Sequence, residues 1–204
     1  MSATKKQVPG GGKLKVLFIT SEAVPFCKTG GLADVAGSLT PKLAELGADV
    51  RVVMPLYGSI GTIWRERMTD EAEFPLNLGW RKQYCGIKTL DHLGIKWHFV
   101  DNEFYYRRES LYGYGDDGER FCFLSKAALD MLPAVGFKPD ILHCNDWQTA
   151  PVPLLMNAGY KATAGLKSAI SIFTIHSMAY QGVMSPQILD DVLGLSRPEY
   201  FRPD

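Results

Sequence analysis

The stretch Leu14-Lys15-Val16-Leu17-Phe18-Ile19-Thr20 is short, apolar and rich in β-formers, which predicts a buried strand of a parallel sheet. Beyond a loop, Leu32, Val35, Ala36, Leu39, Leu43 and Leu46 recur at helical spacing from Gly31 onward and stop at Gly47, a residue suited to closing a helix. Pro41 falls inside that pattern and predicts a kink, because proline removes a helical donor. Asp49-Val50-Arg51-Val52-Val53-Met54 then reads as a second strand, ended by Pro55. Strand, helix and strand in close succession make a β-α-β unit with its right-handed crossover.

Outward from this unit the alternation continues. Between Glu71 and Val100, apolar and aromatic residues such as Phe74, Leu76, Trp80, Tyr84, Trp97 and Phe99 are interleaved with Asn77, Gly79, Gly86 and Gly94, which predicts short paired strands. Glu119–Leu132 reads as a helix with Phe121, Leu124, Ala128 and Leu132 on one face. Asp140–His143 is the next expected strand, Trp147–Asn157 the next helix and Ala169–Ile175 another buried strand. The fold class expected is α/β, a Rossmann-like doubly wound sheet occupying residues 13–204 as one domain, behind a flexible tail over residues 1–12.

Composition narrows the function. Across 204 residues, 46% hydrophobic, Lys+Arg and Asp+Glu each number 22, so no net charge draws the chain to nucleic acid or to an anionic membrane. The longest apolar runs are strand-sized and too short to span a bilayer. The leader lacks the apolar segment of a secretory signal. Cys27, Cys85, Cys122 and Cys144 are far apart and form no C-x-x-C pair, which suits reduced thiols in a cytoplasmic protein better than disulfides or zinc. His92 and His98 likewise have no partner pattern for a metal.

In an open parallel sheet, ligands gather at the carboxyl ends of the strands, and residues there carry the chemistry. Lys28-Thr29-Gly30-Gly31-Leu32-Ala33-Asp34 follows the first strand: two glycines admit a ligand close to the backbone, a helix begins with unpaired N–H groups, and Lys28 adds a positive charge. That combination suits a phosphate, although it is also an ordinary strand-to-helix turn with a surface lysine. It is neither a Walker A loop nor a dinucleotide fingerprint. His143-Cys144-Asn145-Asp146-Trp147-Gln148-Thr149 follows a later strand, where Asp146 reads either as a helix N-cap or as a ligand contact. Thr174-Ile175-His176-Ser177-Met178-Ala179-Tyr180-Gln181-Gly182 ends the last strand, with His176 either structural or functional. All three segments fall on one edge of the expected sheet.

These motifs carry a resemblance. Residues 15–35, with Lys28-Thr29-Gly30-Gly31-Leu32 at their centre, closely resemble the opening of the glycogen and starch synthase family. His143–Thr149 is similar to that family's H-x-x-D-W segment and Thr174–Gly182 to its T-I-H-N-x-A-Y-Q-G segment; Leu111-Tyr112-Gly113 and Glu119-Arg120-Phe121 fit the same order. The resemblance implies a GT-B glycosyltransferase, two Rossmann-like domains facing across a cleft, of which this chain supplies the first. It implies transfer of glucose from ADP-glucose to an α-1,4-glucan acceptor with retention, without a metal or cofactor. It implies that Lys28 contacts the donor phosphates, that Gly30 and Gly31 shape that approach, that Asp34 also lines the site, that His176 holds the donor glucose near its reacting carbon, and that Asp146 supports the sugar pocket. Ser177 departs from the family's usual Asn, replacing an amide with a shorter hydroxyl. The other reading is a non-catalytic glucan-binding or regulatory module that uses its aromatics as sugar-stacking surfaces.

Overall fold

A computed structural model describes residues 12–161 and 165–201. Apart from Gly12, the tail expected over residues 1–12 lies outside them.

The opening unit forms as its pattern dictates: β1 (Lys15–Ile19), helix α1 (Gly31–Glu45) and β2 (Asp49–Pro55), with β1 and β2 parallel from Lys15 opposite Asp49 to Ile19 opposite Val53. Val16–Ile19 and Val52–Met54 are buried, as strands covered on both faces must be. α1 runs through Pro41 as one helix and closes at Gly47, whose φ of 101° only glycine adopts freely.

A short helix, α2 (Thr62–Arg65), leads into an antiparallel meander of β3 (Thr69–Leu78), β4 (Arg81–His92) and β5 (Ile95–Asp101). β5 then joins β2 in parallel, so one sheet runs β3-β4-β5-β2-β1-β6-β7. α3 (Glu103–Tyr106) and the long helix α4 (Asp117–Ala134) carry the chain back across β2 and β1 to β6 (Ile141–Asn145), and α5 (Pro151–Leu155) precedes β7 (Ile170–Thr174). The crossovers from β1 to β2 and from β5 to β6 travel in opposite directions. Right-handedness therefore sets α1 and α4 on opposite faces, which is the doubly wound arrangement. The direction reverses between β1 and β6, where the carboxyl ends of neighbouring strands diverge.

Two expectations need correction. Trp147–Asn157 is not a single helix: it begins as a 3-10 turn (Trp147–Thr149), continues as α5, and widens to a π-helical segment (Met156–Tyr160) with Gly159 at φ 118°. Pro151 and Pro153 cannot donate to the preceding turn and Gly159 tolerates the irregular backbone, so no regular ladder extends through the segment. The final strand forms where expected but is not buried. Ile170, Ile172 and Phe173 are 56%, 42% and 41% exposed, because β7 is the last strand of the sheet and no described helix covers it.

The core sits under α4 and along β1, β2 and β5. Phe26 is seated edge-on against Trp64, Trp97 and Phe99 at 4.8–5.1 Å between ring centroids, which anchors the loop leading to Lys28. Cys85, Cys122 and Cys144 are buried free thiols, and Cys27 is half-buried.

Candidate active site

The turn after β1 is built around a carboxylate that the sequence reading overlooked. Glu22 is buried, and its Oε2 accepts hydrogen bonds from both the backbone N–H and the hydroxyl of Thr29, the latter at 2.8 Å. Its other oxygen lies 3.6 Å from where a side chain on Gly30 would begin. Thr29 is thus tied inward, while Lys28 and the Gly30-Gly31 turn stand at the start of α1. Gly30 has no side chain with which to cap α1, so the first N–H groups of this helix keep their capacity for an anion.

Lys28 Nζ lies 2.6 and 2.8 Å from the two carboxylate oxygens of Asp34, with both side chains about half exposed. An exposed pair of this kind contributes roughly 0–1 kcal/mol, so it holds the lysine in place without committing its charge. Cys27 beside it is no nucleophile: burial, partly offset by a backbone hydrogen bond from Ala23, pushes its thiol up to about 12.

The second wall comes from the ends of β6 and β7. Asp146 holds φ 56° and ψ 178°, a conformation uncommon for a residue with a side chain. Its carboxylate caps nothing in the turn that follows. Oδ1 instead accepts from the backbone N–H of His176 at 2.6 Å and of Ser177 at 3.3 Å, while its own N–H donates to Thr174 O at 2.9 Å. Asp146 thus occupies the N-cap position of the following turn without a side-chain capping bond, and its carboxylate instead binds the β6 end to the β7 end.

The ring of His176 is held by the neighbouring residue. Asn145 Oδ1 lies 2.9 Å from His176 Nε2, and Asn145 Nδ2 donates to Ile19 O at 3.0 Å and His143 O at 3.1 Å. One buried amide thus connects the ends of β1, β6 and β7. Behind it His143 Nε2 pairs with Thr174 Oγ1 at 2.8 Å, and burial together with nearby His176 lowers the His143 pKa, which keeps that ring neutral near pH 7.

Beside this wall lies an open cavity of about 410 Å³ lined by Gly113, Tyr114, Asp117, Trp147, Tyr180 and the residues following it. Trp147 meets Tyr180 and Phe121 edge-on at 5.5 and 5.2 Å. Gly182 passes so close to the indole that a methyl group there would fall 2.0 Å from a ring carbon, and its φ of 61° also suits glycine. The loop after His176 is thereby laid against Trp147. Tyr112 closes the circuit, donating to Ser21 Oγ at 2.8 Å.

The expected residues thus fall into two groups at the carboxyl edge, Lys28, Gly30, Gly31 and Asp34 on one and Asp146, His176 and Ser177 on the other. Glu22 and Asn145, which join them to the sheet, lay inside the motifs but carried no distinguishing spacing. Among the described residues no cluster of His, Cys, Asp and Glu is arranged to hold a metal, and no helix is long and apolar enough to cross a membrane.

A doubly wound domain with a basic, glycine-lined turn and a histidine-bearing loop at its switch point defines a Rossmann-like domain whose candidate site residues gather at the carboxyl ends of its strands. The chain belongs to the starch synthase catalytic domain family, whose model matches residues 15–204. It is 50% identical over 188 residues to glycogen synthase of Anoxybacillus flavithermus, covering 92% of this chain and 39% of that one. It is 48% identical over 191 residues to glycogen synthase of Desulforamulus reducens, covering 94% and 40%. The catalytic domain of starch synthase IV from Arabidopsis thaliana, bound to ADP and acarbose, superimposes with a TM-score of 0.85 at 33% identity, over 94% of this chain and 39% of that one. The chain thus spans about two-fifths of the length of these relatives.

Proposed function

We propose that this chain forms one wall of the active cleft of a cytoplasmic glucosyltransferase that moves glucose from ADP-glucose to the non-reducing 4-hydroxyl of an α-1,4-glucan, with retention. The observation that carries this reading is the convergence of Lys28 with the uncapped start of α1, and of Asp146 with His176, at the switch point of a domain from this family. The opposing wall, a second nucleotide-binding domain, is part of the same proposal.

In this reading the reaction's main cost is the charge that develops on the departing diphosphate. Lys28 and the first N–H groups of α1 face that charge, and donors fixed beforehand stabilise it without reorganising during transfer. The Lys28–Asp34 pair yields readily, since its exposed geometry contributes little on its own. Asp146 sets the backbone of His176 and Ser177, and His176 lies against the donor glucose. The aromatic-walled cavity beside them has faces suited to the apolar sides of an acceptor sugar.

The test exchanges the matching residues of the Anoxybacillus flavithermus glycogen synthase for this chain and measures incorporation of labelled glucose from ADP-glucose into glycogen. The hybrid transfers glucose, whereas residues 1–204 alone do not. Lys28→Ala in the hybrid lowers transfer about ten- to a hundredfold, corresponding to a charge-assisted contact of roughly 1.5–3 kcal/mol. A folded hybrid that uses no sugar nucleotide, or a Lys28→Ala variant of full activity, overturns the assignment.

A further inference from the structure

We propose that Asn145 is the positioning residue of His176, fixing the protonated nitrogen of its ring so that the other nitrogen meets the cleft as a hydrogen-bond acceptor for a sugar hydroxyl.

The argument begins with the amide. Asn145 Nδ2 has two carbonyl acceptors, Ile19 O at 3.0 Å and His143 O at 3.1 Å, and a flipped amide would set its oxygen against both. The orientation of Asn145 is therefore determined by the backbone of β1 and β6. Its Oδ1 can only accept, so His176 Nε2, 2.9 Å away, must carry the hydrogen. In the neutral ring this leaves the lone pair on Nδ1. Nδ1 has no hydrogen-bond partner among the described residues, yet it is not among the buried unpaired polar atoms, so it is open to solvent.

The neutral ring is thereby an acceptor at the cleft. It can bind a hydroxyl that donates, and it has no proton there to give to a leaving group. Asp146 complements this by holding the backbone N–H of the same histidine at 2.6 Å. Two consecutive residues at the end of β6 thus hold His176, one by its ring and one by its main chain. That the hydroxyl belongs to glucose rests on the glucosyl-transfer reading; the tautomer does not.

The test is a long-range proton–nitrogen correlation spectrum of the nitrogen-15-labelled chain at a pH where its histidines are neutral, with His176 assigned by comparison with a His176→Gln variant. The wild-type ring is expected to give a pyrrole-like Nε2 and a pyridine-like Nδ1. Asn145→Ala brings the two resonances together as both tautomers become populated, while the remaining resonances stay in place. Should that variant not fold, the wild-type spectrum decides on its own, because the amide orientation admits a hydrogen only on Nε2. A wild-type ring protonated at Nδ1, or an Asn145→Ala ring that still holds the hydrogen at Nε2, overturns the proposal. If the tautomer is as stated but the hybrid enzyme transfers no glucose, the functional reading fails and the role of Asn145 in setting the ring stands.

Discussion

The two ends of the sheet differ in how they meet water. At one end β3 carries Asp70, Glu71 and Glu73, a bulge between Asp70 and Ala72, and Pro75, and its carboxylates pair with Lys88 and Lys96 across the neighbouring strands. Charges, bulges and proline are the means by which natural sheets refuse another strand. At the other end β7 reads Ile-Ser-Ile-Phe-Thr, with no charge, no bulge and both faces exposed. The first end is finished as a surface. The second retains the composition of an interior strand, and it is also the strand that delivers His176. The antiparallel half of the sheet thus serves chiefly as a scaffold, and the parallel half carries the candidate site next to an open edge.

The largest expected effect comes from making the same kind of truncation in both halves. Trp97 on β5 is fully buried, and Trp97→Ala is expected to cost about 3–5 kcal/mol. Phe173→Ala on β7, removing a side chain that is already 41% exposed, should cost under about 1 kcal/mol. Denaturant unfolding of the two variants measures the difference. Equal losses would mean that β7 is covered in solution and that the contrast between the ends is false.

The scaffold half should also be the more acid-sensitive. His98 on β5 is fully buried, and burial, reinforced by Arg51 and Lys96, holds its pKa at about 3 instead of 6.5, outweighing a Glu71 oxygen 2.9 Å away. Between those values the unfolded chain binds a proton that the folded chain refuses. Stability that is complete above pH 6.5 is therefore lost as pH falls toward 3. At about 1.36 kcal/mol per pH unit, roughly 2.7 kcal/mol is gone by about pH 4.5. A series of unfolding curves reads this directly, and His98→Leu should flatten the limb between about pH 6 and 5, above the range where ordinary carboxylates titrate. An unchanged slope in that variant removes His98 as the cause.

The smallest effect on folding belongs to Ile172→Lys, since the side chain is 42% exposed and makes no core contact worth more than a fraction of a kcal/mol, about 0.5. Its effect on association should be plain. The wild-type chain is expected to self-associate as concentration rises, through the uncharged edge of β7, and a lysine at the middle of that strand should keep it monomeric. Light scattering on both proteins decides this, and equal association would point away from β7.

Much of the architecture was legible because apolar periodicity and glycine or proline punctuation act locally. Leu14–Thr20, the leucines of α1 and Asp49–Met54 needed no distant partner to declare their structure. Exposure of β7 was not legible, since an apolar run has the same appearance whether or not another element covers it. The break-up of Trp147–Asn157 was in principle readable from Pro151 and Pro153, but Trp147, Leu154 and Leu155 imitate a helical stripe. The candidate site divided in the same way. Lys28, Gly30, Gly31, Asp34, Asp146, His176 and Ser177 lie in segments whose order along the chain announces them. Glu22 and Asn145 act by bonds that exist only after strands far apart in sequence are side by side, and residue type alone does not reveal such bonds.

The adjacency of Asn145 and Asp146 ties the site to the alignment of β6 with β7, in which Asn145 lies opposite Thr174. Asp146 lies one residue beyond β6 at φ 56°, so the amide and the carboxylate reach the β7 end together only when the two strands pair in this register, and a slip of one position would turn the partner strand's side chains to the opposite face. Pairing β6 with β7 and seating the backbone and ring of His176 are therefore one event.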